Sequence, residues 1–84
     1  MEKDRIILRL QKLKAKNSSV PEMLDQIAKM IDGESNIILV SMQCFREAFD
    51  LPLRDVSPIG GWKNFGGELS DKQLDDLIRP YIYE

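Results

Sequence analysis

Cys44 is the chain's one thiol, and the chain contains no histidine. A thiol nucleophile needs a base beside it, and histidine is the commonest. Histidine is also the commonest metal ligand, so a lone cysteine without it does not make a zinc set. Cys44 falls within an apolar helical pattern and reads as a small buried hydrophobe. It has no second cysteine to pair with, which fits a reducing cytoplasm. Carboxylates are plentiful, with 14 Asp and Glu in 84 residues. None sits in an apolar setting that would raise its pKa for general acid or base work. A chain this short builds a thin core with little room for a substrate cavity. The expectation is a protein that is no enzyme and takes no cofactor and no metal.

The other stretch that invites a chemical reading is "SPIGGWKNFGGELS", residues 57–70. It holds the only tryptophan, and all but one of the 5 glycines. A phosphate-binding loop runs from a strand through a glycine-rich turn into Gly-Lys-Ser/Thr. Here Lys63 follows Trp62 and no strand precedes it. The dinucleotide fingerprint G-x-G-x-x-G also fails, because the glycines come as two adjacent pairs. Such pairs permit positive φ and close backbone approach. Two readings follow. Trp62 folds back as a lid on the core, or Trp62, Lys63, Asn64 and Phe65 form part of a recognition surface, tryptophan being enriched at binding hot spots.

The elements around this loop read as helices. Ile6, Ile7, Leu10 and Leu13 follow helical spacing and predict a helix over 2–15. Asn17-Ser18-Ser19 breaks it, and Ser19 with Glu22 matches a capping box, with Pro21 harmless in the first turn. Val20, Leu24, Ile27 and Ile31 then predict a helix over 20–31, with Gly33 as its stop. Residues 35–49 are apolar on more than one face and predict a central helix containing Phe45 in the core. Asp50-Leu51-Pro52 forms a corner, and a short helix over 52–59 follows, limited by Pro58 acting on Ser57. Ser70 with Gln73 forms a second capping box, and Leu69 with Leu74 sits at staple spacing. The last helix buries Leu74, Leu77, Ile78, Tyr81 and Ile82, with Pro80 expected to kink or end it near Arg79. The predicted fold is a single all-α domain over 1–84, four main helices and one short one, with the glycine-rich loop before the last.

Charge is unevenly placed. The net value is −2, divided as +3 over residues 1–31 and −5 over 32–84. The longest apolar run, Ile37 to Val40, is far short of the roughly 20 residues of a membrane span. The N-terminal segment reads as an amphipathic helix and not a signal peptide.

The stretch "CFREAFDLPLRDVSPIGGW", 44–62, resembles the helix-turn-helix corner of the ribosomal stalk protein's C-terminal domain, although that domain also carries strands. The longer pattern "FREAFDLPLRDVSPIGGW…GELSDKQLDDLIRP" is similar to small uncharacterised bacterial proteins found beside polymorphic toxins. That resemblance implies an immunity protein, a small acidic binder that blocks a basic toxin domain encoded nearby. Acidic inhibitors of nucleases present carboxylates where phosphate would lie, which speeds association. Glu68, Asp71, Asp75, Asp76 and Glu84 are the candidates. The alternative is a nucleic-acid-binding regulator with a helix-turn-helix at 35–58. Its second helix offers only Arg54 as a cation, and phosphate binding rests on many cations, so nucleic acid is the weaker expectation. A monomer or homodimer suits either reading.

Overall fold

The computed structural model describes residues 3–31 and 36–83. Among these described residues five α-helices follow one another: α1 (Lys3–Ala15), α2 (Val20–Met30), α3 (Ile37–Phe49), α4 (Leu53–Val56) and α5 (Asp71–Ile82). Two 3₁₀ turns, Ser57–Gly61 and Lys63–Phe65, fill the stretch between α4 and α5. The architecture is all-α, as the periodicity predicted. The expected stop at Gly33, the start of the third helix at residue 35, and Glu84 lie outside the described residues.

Each helix follows from its pattern. α1 buries Ile6, Leu10 and Leu13. It gives way to a turn at Asn17, whose φ of 60° is a left-handed value that asparagine tolerates. α2 starts where Ser19 Oγ accepts the N–H of Glu22 at 3.2 Å, and it buries Val20, Pro21, Met23, Leu24 and Ile27. α3 is central: it packs on α1, α2, α4 and the first 3₁₀ turn, with Ser41, Cys44 and Phe45 fully buried. Asp50, at φ 53°, caps it in the left-handed region.

Three local expectations are corrected. Pro58 does not keep Ser57 out of the helical region: Ser57 has φ −57° and ψ −31°. α4 instead tightens after Val56 into a 3₁₀ turn, in whose first positions the missing proline N–H removes no bond. Pro80 does not end α5 at Arg79, for the helix runs on to Ile82. The ring lies on the exposed side, and the following N–H of Tyr83 still reaches the Arg79 carbonyl at 2.8 Å. Leu77 and Tyr81, expected inside, are about half exposed at 47% and 51%. The core-facing stripe is the narrower set Leu74, Ile78 and Ile82.

α5 also holds the turn between α1 and α2. Asp75 Oδ1 accepts the N–H of Val20 at 2.8 Å, satisfying one of the donors that a helix start leaves free. Arg79 donates to Asp75 Oδ2 at 3.0 Å and to Asn17 Oδ1 at 3.3 Å. The Tyr83 hydroxyl donates to the Ser18 carbonyl at 2.8 Å, with the Arg79 guanidinium 4.6 Å from its ring centre. Three side chains of one helical flank thus fasten a distant corner.

Candidate interaction surface

The glycine-rich loop is closed by its own backbone. The N–H of Leu69 donates to the Gly61 carbonyl and that of Lys63 to the Leu69 carbonyl, both at 2.8 Å. This pair makes an isolated parallel bridge between Trp62 and Leu69. Inside the closure, the N–H groups of Phe65 and Gly67 both donate to the Trp62 carbonyl at 2.9 Å. Two glycines make the shape possible. Gly66 has φ 91°, and a Cβ on Gly67 would stand 2.1 Å from the Gly61 carbonyl oxygen.

Trp62 is the plug of this loop. It is 1% exposed, and its ring meets Phe65 edge-on with centroids 5.1 Å apart. Its indole N–H donates to Asp71 Oδ1 at 2.8 Å. The buried reading of Trp62 therefore holds, and its ring offers no face to a partner. Lys63, Asn64 and Glu68 are exposed on the loop's outer edge, and Phe65 is half-buried. Lys63 Nζ comes within 3.9 Å of Asp71.

The acidic candidates on α5 divide by what already engages them. Asp76 is exposed and takes Lys72 at 2.7 Å, one turn before it. That hydrogen bond, and then the charge of Asp76, raise the Lys72 pKa above its ordinary value. Asp71 keeps a 56% exposed side chain beside the indole bond. Asp75 has a 20% exposed side chain and is consumed by Val20 and Arg79. It belongs to the scaffold more than to the surface.

The structure adds two acids that sequence spacing did not single out. Glu22 and Asp25, three apart on α2, face Asp71 and Asp75 across an open groove of about 370 Å³, with Lys72 on its rim. Only the α2–α5 packing reveals this, because the pairs are some fifty residues apart in the chain. Among the described residues, no group of three or more His, Cys, Asp and Glu side chains is placed to hold a metal ion. No helix among them is long and apolar enough to cross a membrane. Cys44 is wholly buried, and burial pushes its thiol pKa up. α4, the second helix of the helix-turn-helix alternative, has four residues.

No protein family, curated protein or solved structure matches this chain.

Proposed function

We propose that the protein is a non-enzymatic binding module, most concretely a cytoplasmic immunity protein that blocks a basic toxin domain encoded beside it. One observation carries this reading. The loop closed between Gly61 and Leu69 holds Lys63, Asn64 and Glu68 outward in a fixed shape, next to the acidic groove of Glu22, Asp25 and Asp71. A surface already ordered before contact loses little conformational freedom on binding. Its carboxylates favour fast association with a cationic partner. The likeness of residues 45–80 to proteins found beside polymorphic toxins points the same way.

The test is co-expression with the product of the neighbouring reading frame. The two should co-purify, and the small protein should protect cells from the larger one. Reversing Glu68 and Asp76 to Lys should slow association, most strongly at low salt. Those two positions are chosen because reversal at Asp71 or Asp75 would break the bonds to Trp62 and Val20, whereas Asp76 loses only its exposed pair with Lys72. A protein that captures no neighbour-encoded domain, yet shifts duplex DNA at physiological salt, would replace this reading with the regulator.

A further inference from the structure

The opposite charge gathers on α1. Arg5, Arg9 and Lys12 recur at steps of four and three residues, which puts them along one flank of α1, and Lys16 follows in the turn after Ala15. A rise of 1.5 Å per residue separates these three by roughly 6 and 4.5 Å along the axis. Arg5, Arg9 and Lys12 line an open groove of about 170 Å³ together with Leu8 and Met30. Leu8 is 51% exposed and Met30 is half-buried. Five cations elsewhere are paired with acids: Lys3 holds Glu47 at 2.9 Å, Lys72 holds Asp76, Arg79 holds Asp75, and Lys63 and Arg54 approach Asp71 and Asp55. Among the described residues, Arg9, Lys12 and Lys16 form no side-chain ion pair or hydrogen bond.

We propose that the groove between α1 and the end of α2 docks an acidic amphipathic helix of a partner protein. A helix lying along α1 repeats its own side chains at the same three- and four-residue steps. Carboxylates spaced so meet Arg9 and Lys12 in register, and an apolar residue on the same flank covers Leu8 and Met30. Charge complementarity sets the sign of the partner, and the apolar floor sets its kind. A phosphate backbone supplies the sign but nothing to cover Leu8. This surface is separate from the acidic groove, so it stands or falls apart from the immunity reading.

The test uses the full chain and a synthetic helix-forming peptide with Glu at i, i+4 and i+7 and Leu between them. A scrambled peptide of equal composition is the control. Binding is followed by fluorescence anisotropy and by amide chemical shifts. The ordered peptide should bind, weaken as salt is raised, and shift amides of α1 around Leu8 and Arg9. Arg9→Glu with Lys12→Glu should weaken it by about tenfold or more. Leu8→Ser should weaken it at unchanged salt dependence, and circular dichroism should confirm that both variants stay folded. Equal binding of the scrambled peptide, or indifference to the charge reversal, would overturn the proposal. So would tighter binding to a single-stranded oligonucleotide or to anionic vesicles.

Discussion

The indole N–H of Trp62 lies 2.8 Å from Asp71 Oδ1, so the most buried aromatic of the loop is tied to the first residue of α5. A neutral donor inside the core thereby ends on a carboxylate at the surface. Asp71→Ala leaves the indole N–H buried without its acceptor, and should cost about 1–3 kcal/mol. Asp71→Asn keeps an acceptor oxygen and should recover much of that loss. Urea midpoints for the two variants check this, and equal losses would mean that the bond adds nothing.

Gly67→Ala should be far more damaging than Gly60→Ala. The first puts a Cβ 2.1 Å from a backbone oxygen, and the second puts one at an ordinary 3.8 Å from Ile38. The loop must open to admit the Gly67 methyl, for a loss of about 3–5 kcal/mol. Gly60→Ala should stay near the native melting temperature or rise slightly.

Tyr83 sets an alkaline limit. Burial pushes its pKa up from the ordinary value, and its hydroxyl must keep its proton to donate to Ser18. A group whose folded pKa is raised gives stability that is fully present below the unfolded value of about 10. That stability is lost as pH rises through the folded pKa. Tyr83→Phe should cost about 0.5–1.5 kcal/mol at neutral pH and should flatten the decline above pH 10 or so. Denaturation midpoints across that range check the sign.

Phe45 is fully buried in α3 and meets Phe49 edge-on at 5.5 Å. Phe45→Ala should cost about 3–5 kcal/mol. Cys44 beside it supplies a second readout. Burial and a raised pKa hold the thiol inert in the native protein, so its labelling rate should follow the unfolded fraction. Fast labelling of the native chain would contradict the packing of α3.

Where the chain has strong local grammar, the fold was legible. Ser70 and Gln73 announce the capping box, and both of its bonds form, at 3.2 and 2.9 Å. Apolar spacing places Ile6, Leu10, Val20, Leu24 and Phe45 inside. The misses at the candidate site come from contacts that local spacing does not encode. Nothing near Trp62 in sequence tells that Leu69 will pair with its neighbours, and nothing near Asp75 tells that Val20 will need an acceptor. Asp75 therefore looked like one of several surface acids. Pro80 does not end the helix for a different reason: at an exposed position near a helix end, the missing bond is one that the helix can lose.

The clasp between α5 and the α1–α2 turn has a consequence for the nascent chain. Its three bonds join residues 55, 62 and 65 positions apart. At synthesis rates of about 5–20 residues per second, α2 emerges roughly 3–13 s before the residues that fasten its start. During that interval the α1–α2 hairpin has only the packing of two short amphipathic helices, and its apolar faces wait for α3 and α5. A ribosome stalled between codons 70 and 75 should thus display a protease-sensitive hairpin, while one stalled well past Tyr83 should display a resistant one.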